Sequence, residues 1–329
     1  MRVGLIGSTG SSFQTLVKLN EYGFDIAGVW GYEPPSTKNV SGYVYLGDFC
    51  HKNGIKYYPF VHVNDESTKK TILSSGIDLL FVVGLSQLVD KDIIASAPLG
   101  CVGFHPTKLP RGRGRAPMAW LVLREKVGAA TFFNIQEGAD SGQIYVQEVF
   151  DVDTNDDATS IGQKLHLCID KALDKWLPQV KNGVVGGYTQ DERQATYYAR
   201  RAPLDGCIDW YRGSREIDKL IKASTRPHPG AFTFYGNYKV VIWKSVLWDE
   251  GFPEGVVGRV VDMKDNNPVV QTGDGWLEIK DYEMQDANEL AVDTRVVIGS
   301  RLGYYDQYEI FKLRNEIIEI NNKLNALLK

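Results

Sequence analysis

Cysteine, net charge and long apolar runs are all scarce in this chain of 329 residues. Its four cysteines are scattered without a C-x-x-C pair, so the sequence predicts neither a disulfide framework nor a cysteine-ligated metal site. The formal net charge is only −4, which offers no general attraction to nucleic acid. No apolar run approaches the roughly 20 residues that a membrane-spanning helix needs. We therefore expect a globular protein with reduced thiols, without a bound metal, a nucleic-acid partner or membrane insertion.

The apolar residues that are present suffice for two hydrophobic cores, since 43% of the chain is hydrophobic. Residues 1–4 run straight into a strand pattern rather than a signal peptide, which favours a cytoplasmic location.

Strand and helix patterns alternate over the first half of the sequence. Residues 3–6 and 25–30 are typical of buried strands, and residues 77–84 are apolar apart from Asp78, as parallel strands covered on both faces are. Residues 129–135 and 143–152 predict two more strands, and a long helix follows after Asp157. This alternation predicts the α/β fold class, with a Rossmann-like, doubly wound and mostly parallel sheet.

A glycine-rich turn follows the first predicted strand. Its spacing, Gly4-x-x-Gly7-x-x-Gly10, differs from the G-x-G-x-x-G of dinucleotide sites. A tight strand-to-helix turn is therefore favoured, with a nucleotide site as the alternative.

The sequence changes character after Gly187, where a segment without periodicity begins. We place a catalytic domain at residues 1–190, a second domain at 200–303 and a C-terminal helix at 305–329. Hairpin signals at residues 236–237, 265–267 and 273–275 predict a small antiparallel β-barrel that is OB-like.

The C-terminal helix carries apolar residues in alternating steps of three and four. They occupy a and d positions of a heptad pattern: Ile310, Leu313, Ile317, Ile320, Leu324 and Leu327. A seam this short is not stable alone, so it either pairs with a second copy or docks on the body of the protein. We favour a homodimer.

Residues 100–117 lead from an apolar strand into a rigid, basic loop that contains His105. Open α/β sheets bind ligands at such junctions. A second polar turn, Glu-Gly-Ala-Asp-Ser-Gly at residues 137–142, contains Asp140. We predict that His105 and Asp140 meet there, because a carboxylate beside a histidine fixes its tautomer and stabilises the imidazolium formed when it accepts a proton.

Three segments carry a recognisable signature. Residues 105–110 (His-Pro-Thr-Lys-Leu-Pro) and 113–117 (Arg-Gly-Arg-Ala-Pro) are similar to the His-x-Ser-Leu-Leu-Pro…Arg-Gly-x-Ala-Pro motif of formyltetrahydrofolate-dependent formyltransferases, and residues 140–142 match their Asp-[Ser/Thr]-Gly. Residues 200–210 and 226–232 resemble the post-catalytic region of methionyl-tRNA formyltransferase. The resemblance is strongest to nucleotide-sugar N-formyltransferases, such as the formyltransferase domain of the enzyme that formylates UDP-4-amino-4-deoxy-L-arabinose.

This resemblance implies transfer of a formyl group from N10-formyltetrahydrofolate to the amine of a nucleotide-linked amino sugar, in lipopolysaccharide or other surface polysaccharide biosynthesis. His105 would be the general base, oriented by Asp140. The residues implied to bind folate are Leu85, Ser86, Gln87, Leu88, Glu137, Gly138, Ala139 and Asp140.

The chain departs from the family pattern Asn-x-His…Asp, since Gly103 stands where the asparagine is expected. Loss of such an amide donor to an oxyanion typically costs about 10²–10³ in rate. We predict that Asn134 supplies the amide instead, with Gln87 as a further candidate and an outward-facing strand residue as the other interpretation of Asn134. A non-catalytic folate- or sugar-binding homologue remains an alternative.

Four cations, Lys108, Arg111, Arg113 and Arg115, follow His105. Guanidinium groups suit a diphosphate, so we predict that these residues bind the nucleotide part of the substrate, the other interpretation being a solvated loop. Methionyl-tRNA formylation stays open as a second activity, although the low net charge disfavours a tRNA substrate.

Overall fold

The computed structural model describes residues 1–36, 41–251, 254–303 and 306–327. The chain divides into one compact unit of residues 1–202 with 226–229 and a second of residues 203–225 with 230–329. Residues 305, 328 and 329 of the predicted C-terminal helix lie outside the described residues.

A seven-stranded sheet forms the centre of the first unit. The strands of this unit are β1 (Arg2–Gly7), β2 (Asp25–Tyr32), β3 (Tyr57–Phe60), β4 (Leu79–Val82), β5 (Cys101–Thr107), β6 (Arg113–Gly114), β7 (Val127–Asn134), β8 (Ile144–Asp151) and β9 (Tyr197–Tyr198). The sheet has the order β3-β2-β1-β4-β5-β7-β8. The first five strands are parallel to one another, β7 pairs antiparallel with β5, and β8 pairs antiparallel with β7. The short strands β6 and β9 pair with each other in parallel. The predicted Rossmann-like, mostly parallel sheet is confirmed.

Helices cover both faces of this sheet. They are α1 (Gly10–Glu21), α2 (Gly47–Lys52), α3 (Glu66–Leu73), α4 (Lys91–Ala95), α5 (Pro117–Arg124) and α6 (Ala158–Lys181). Leu16 of α1 and Trp176 of α6 belong to the core on one face, while Ile72 of α3 and Ile93 of α4 belong to the core on the other. Strands covered in this way are apolar throughout, which explains the unbroken apolar run at β4.

The long helix α6 begins where the sequence predicts. The carboxylate of Asp157 accepts a hydrogen bond from the backbone N–H of Ser160 at 2.8 Å and so caps the helix. Near its other end, the ring of Trp176 stacks on Tyr145 of β8 with centroids 5.0 Å apart. This packing joins α6 to the antiparallel edge of the sheet.

The second unit consists of an antiparallel sheet with a helix against it. Its elements are α7 (Ser214–Ser224), β10 (Ala231–Tyr235), β11 (Tyr238–Trp248), β12 (Val260–Lys264), β13 (Asn267–Gln271), β14 (Trp276–Gln285) and α8 (Asp306–Leu327). The strand order is β10-β11-β14-β13-β12. Turns at Gly236 and at Asp265 and Asn266, all with positive φ, join consecutive strands as the sequence predicts. Ile217 and Ile221 of α7 pack into the core of this sheet.

The helix α8 presents an apolar face to solvent. The exposed side chains include Ile310, Leu313, Ile317, Ile320, Leu324 and Leu327. The exposure of these residues disfavours the docking alternative, in which this seam would be covered by the body of the chain. No helix within the described residues combines the length and apolarity that a bilayer crossing requires.

Candidate active site

His105 lies near the carboxyl end of β5, where the strand alternation sets its direction. Val102 and Phe104 point into the core under α1 and α6, so His105 points to the opposite face of the sheet. The residue is only 5% exposed. The imidazole therefore sits at a nearly closed edge of the sheet, at the junction that the sequence singled out.

Asp140 lies in the turn between β7 and β8, and the structure brings it beside His105. Its Oδ2 is 3.5 Å from Nδ1 of His105, and the same oxygen accepts the backbone N–H of Gly114 at 2.8 Å. The side chain of Asp140 is 21% exposed, against 6% for that of His105. The carboxylate is thus the more accessible member of the pair.

The proton on His105 is positioned by the backbone of the adjoining loop. Nε2 lies 2.8 Å from the carbonyl oxygen of Gly112. A carbonyl oxygen only accepts hydrogen bonds, so Nε2 must carry the proton and donate it. The nitrogen left to accept a proton is Nδ1, which faces Asp140. A proton that arrives at Nδ1 produces an imidazolium with hydrogen-bond donors to both neighbours.

The Gly112 carbonyl is held by contacts on both sides of the loop. The hydroxyl of Thr107 donates to the carbonyl oxygen of Arg111 at 2.8 Å, and the N–H of Gly112 donates to the hydroxyl of Thr196 at 2.8 Å. Gly112 has φ of 73°, a left-handed conformation in which glycine is favoured. The loop conformation, rather than a second side chain, therefore determines the tautomer of His105.

Arg113 does not lie where the sequence suggests. Arg113 is fully buried, with 0% of its surface exposed. Its guanidinium donates to both carboxylate oxygens of Glu192 at 2.6 and 2.8 Å. It also donates to the side-chain oxygen of Gln190 and to the Tyr197 hydroxyl, each at 2.8 Å. The hydrogen bond to Glu192 raises the pKa of Arg113 and lowers that of Glu192. With these donors engaged inside the protein, Arg113 is unsuited to bind a diphosphate, and we correct its predicted role to a structural one.

The other three cations of the loop, Lys108, Arg111 and Arg115, are exposed. They flank the same turn that supplies Gly112 and Gly114 to the His105 and Asp140 pair. Their positive charges are thus available to an anionic ligand next to this pair.

Gly103 and Asn134 do not provide the amide that the family pattern would place near His105. β5 and β7 pair so that Thr131 lies opposite His105 and Asn134 opposite Val102. Because directly paired residues share a face and successive residues alternate, Asn134 points to the face away from His105. The register contradicts the prediction that Asn134 acts beside Gly103.

The space next to Gly103 is filled by apolar side chains. A Cβ added at Gly103 would lie 2.7 Å from Cζ of Phe133 and 2.9 Å from Cγ1 of Ile135. The other candidate amide, that of Gln87, accepts the N–H of Val63 at 2.8 Å and donates to the carbonyl of Val61 at 2.7 Å. Neither replaces the family asparagine in this conformation.

A cavity of about 350 Å³ opens at the carboxyl ends of β2 and β4. It is lined by Tyr32, Pro34, Pro35, Ser36, Leu85, Ser86 and Gln87. Three of the four loop residues predicted to bind folate thus line it, and the fourth, Leu88, is 87% exposed. The segment 32–36 is not among the residues predicted to bind folate, although its position at and directly after the end of β2 marks it as part of the ligand-binding edge.

The remaining predicted folate residues, Glu137, Gly138 and Ala139, are exposed on the turn that carries Asp140. Gly138 adopts φ of 101°, which only glycine tolerates readily. The hydroxyl of Ser141 donates to the carbonyl of Glu137 at 3.3 Å and tightens the turn. Backbone groups of this turn are therefore open to a ligand.

The glycine turn after β1 forms a compact helix start. The N–H of Thr9 donates to the hydroxyl of Ser12, and the N–H of Gly10 donates to the carbonyl of Gly42 at 3.3 Å. These contacts engage part of the N-terminus of α1 within the chain itself, as expected for a structural turn. Within the described residues there is no group of three or more His, Cys, Asp or Glu side chains that could hold a metal ion.

Comparison with known proteins gives the family. A formyl transferase family model matches residues 48–179, and the model of the formyl transferase C-terminal domain matches residues 202–296. Together they cover more than half of the chain.

Three solved structures illustrate the fold similarity. HypX from Aquifex aeolicus in complex with tetrahydrofolic acid shows 15% identity and a TM-score of 0.62, covering 89% of this chain and 45% of that one. This chain therefore spans less than half the length of HypX. WlaRD, a sugar 3N-formyl transferase with dTDP and 5-N-formyl-THF, shows 19% identity and a TM-score of 0.62, and the match covers 88% of this chain and 99% of WlaRD.

The third similar structure is the N-formyltransferase from Helicobacter canadensis with folinic acid and dTDP-3-aminofucose. It shows 16% identity and a TM-score of 0.61, and the match covers 84% of this chain and 98% of that one. At these identities the likeness concerns the fold, while the two family models settle the membership. This chain belongs to the formyl transferase family.

Proposed function

We propose that this protein transfers a formyl group from N10-formyltetrahydrofolate to the amine of a nucleotide-linked amino sugar. The observation that carries the proposal is the pairing of His105 with Asp140 at the ligand-binding edge of a formyl transferase fold. The folate and dTDP-linked ligands in similar structures support both the donor and the acceptor class.

The cavity beside Leu85 and Ser86 fits a flat heterocycle such as the pterin ring. Its lining combines the apolar side chains of Tyr32, Pro34, Pro35 and Leu85 with the polar ones of Ser36, Ser86 and Gln87. The bound folate would supply the formyl group. The exposed backbone of the 137–140 turn offers further hydrogen-bonding groups next to Asp140.

The chemistry of the protein itself centres on Nδ1 of His105. Since Nε2 already donates to Gly112, Nδ1 accepts the proton that the amine loses as its nitrogen bonds to the formyl carbon. Asp140 then stabilises the imidazolium from 3.5 Å away. The imidazolium would return this proton to the folate nitrogen as the bond between that nitrogen and the formyl carbon breaks. Lys108, Arg111 and Arg115 would hold the diphosphate and so keep the amine close to this nitrogen.

The test is turnover with N10-formyltetrahydrofolate and a panel of nucleotide-linked amino sugars, with products identified by mass spectrometry. His105→Gln keeps a donor for the Gly112 carbonyl but removes the basic nitrogen, and Asp140→Asn keeps the shape of the carboxylate without its charge. Each should lower kcat by about 10²–10⁴-fold while the thermal melt is preserved. Gln163→Glu on the exposed surface of α6 is the control and should leave kcat unchanged. If either active-site variant turns over at the wild-type rate, the catalytic role proposed for that residue is wrong.

The salt dependence of substrate binding distinguishes a sugar-nucleotide acceptor from a tRNA acceptor. A tRNA substrate would show a steep decrease in affinity with rising salt, whereas a sugar nucleotide with two phosphates would show a shallow one. If folate binds but no amine of either class is formylated, the protein is a binding homologue rather than a transferase.

The exposed seam of α8 supports a homodimer. In a parallel pair of α8 helices, Glu309 at a g position would face Arg314 of the second copy at an e position, so the charges beside the apolar seam are complementary. Ile317→Asp should convert the dimer to a monomer in sedimentation equilibrium. The same charge at the outer f position, Asn322→Asp, should not. A wild-type protein that is monomeric at micromolar concentration would refute the pairing.

A further inference from the structure

The amide of Gln190 lies against the turn that carries Asp140. Its Nε2 donates to the carbonyl oxygens of Asp140 at 2.8 Å and of Gly142 at 2.6 Å. Gln190 is 5% exposed and comes from the segment after α6, far from the turn in sequence. Two backbone carbonyls of one turn are therefore held by a single side chain from outside it.

The turn needs such support. Asp140 has φ of 50°, in the left-handed region that residues with a side chain rarely adopt. A non-glycine residue held there is strained and persists only where surrounding contacts fix it. The two hydrogen bonds from Gln190 are contacts of this kind, one to the carbonyl of Asp140 itself and one to the carbonyl two residues further along the turn.

The buried guanidinium of Arg113 orients the amide. Its Nε and Nη2 donate to Oε1 of Gln190 at 3.2 and 2.8 Å. Since Oε1 accepts from these donors, Nε2 must point at the carbonyls of the turn, and a flipped amide would leave both sides unsatisfied. Glu192 and Tyr197 complete the contacts of Arg113.

Arg113 also lies between the two glycines that contact the reactive pair. Gly112 accepts from His105, and Gly114 donates to Asp140. The backbone N–H of Arg113 donates to the carbonyl of Thr196 at 2.9 Å. The same residue thus anchors the loop under His105 and, through Gln190, the turn under Asp140.

We propose that Gln190, oriented by Arg113, is a positioning residue that holds the Asp140 turn in register with His105. The catalytic part of this inference rests on the proposed formyl transfer. Gln190 and Arg113 thus support the His105 and Asp140 pair from outside it, and Gln190 comes from the segment between α6 and β9.

Two variants remove the donor function of Gln190. Gln190→Glu keeps the acceptor for Arg113 but places an oxygen against the two carbonyls. Gln190→Met removes both the donor and the acceptor without adding charge, so an effect shared by the two variants is due to the lost donor. In both, kcat should fall by about 10-fold to 10²-fold, as for a displacement of the order of 1 Å, while KM for folate and amine stays within about twofold. Gln163→Glu, the same chemical change on the exposed face of α6, is the matched control.

A second readout does not depend on turnover. Hydrogen exchange of the peptide spanning residues 137–143 should accelerate at least fivefold in both variants, with the exchange of β4 and β5 unchanged. If the wild-type protein transfers no formyl group, the proposed function fails. The exchange measurement then still tests whether Gln190 holds the turn that carries Asp140. Unchanged kcat or unchanged exchange of this peptide in the folded variants would overturn the positioning role. If Gln190→Glu does not fold, Gln190→Met decides.

Discussion

Gly103 offers a sharp test of the packing beside His105. In Gly103→Ala the new methyl group would lie 2.7 Å from Phe133 and 2.9 Å from Ile135, distances at which one of the partners must move. Gly103 and both neighbours are packed within the first unit, and such overpacking typically costs about 1–3 kcal/mol. For a unit of this size each kcal/mol shifts Tm by about 2–4 °C, so we expect the Tm of this unit to fall by about 2–12 °C in calorimetry.

Gly162→Ala is the matched control, since Gly162 lies within α6 and a Cβ there meets no heavy atom within 4 Å. Alanine is favoured over glycine in a helix by about 1 kcal/mol, so this variant should be slightly stabilised. Adding Phe133→Leu to Gly103→Ala should recover part of the lost stability by giving the methyl group room. A Gly103→Ala protein that melts at the wild-type temperature, or an equal Tm shift in both glycine variants, would show that the space beside Gly103 is not tightly packed.

The same packing decides what happens when the family asparagine is introduced. Gly103→Asn adds an amide but must displace Phe133 or Ile135. We expect the single substitution to lower stability without raising formyl transfer. A turnover gain of 10-fold or more in Gly103→Asn would show that the apolar filling is easily moved and that an amide at this position is what the site lacks.

Two further outcomes follow from charge and burial. Burial raises the pKa of Asp156, but hydrogen bonds from Lys164, a backbone N–H and Ser160 outweigh it and lower the pKa overall. A lowered pKa contributes stability above the unfolded-state value and loses it as pH falls through the folded value, so Asp156→Asn should cost about 1.5–3 kcal/mol at pH 7 and progressively less as the pH falls from about 4 through the lower folded-state pKa. Thermal melts at pH 7 and across this acidic range check this, and equal losses at every pH would contradict it. Burial raises the pKa of the Cys101 thiol to about 12 and leaves it no exposed surface, whereas Cys207 is exposed. Maleimide at neutral pH should therefore label Cys207 but spare Cys101 until the protein is unfolded, as peptide mass spectrometry will show.

The elements that the sequence predicts well are those that depend on local patterns. The apolar run at β4, the capped start of α6 at Asp157 and the turn at Asp265 and Asn266 are each specified by a few neighbouring residues. The contact of His105 with Asp140 was also predictable, because strand ends and the turns between strands meet at one edge of such a sheet.

The predictions that failed depend on contacts between distant segments. A run of cations indicates charge but not burial, and the burial of Arg113 depends on Gln190 and Glu192, which lie in a segment without periodicity. For Asn134 the decisive quantity is the pairing register with β5, which determines the face and is not visible in either strand alone.

The acceptor for His105 Nε2 is a main-chain oxygen, at Gly112. Substituting a side chain cannot delete that oxygen; only a change in the path of the loop can move it. The protonation pattern of the imidazole is thereby insulated from most point mutations, while an insertion or deletion between Thr107 and Gly114 would alter it at once. Related chains with a loop of another length are where different proton chemistry should be sought.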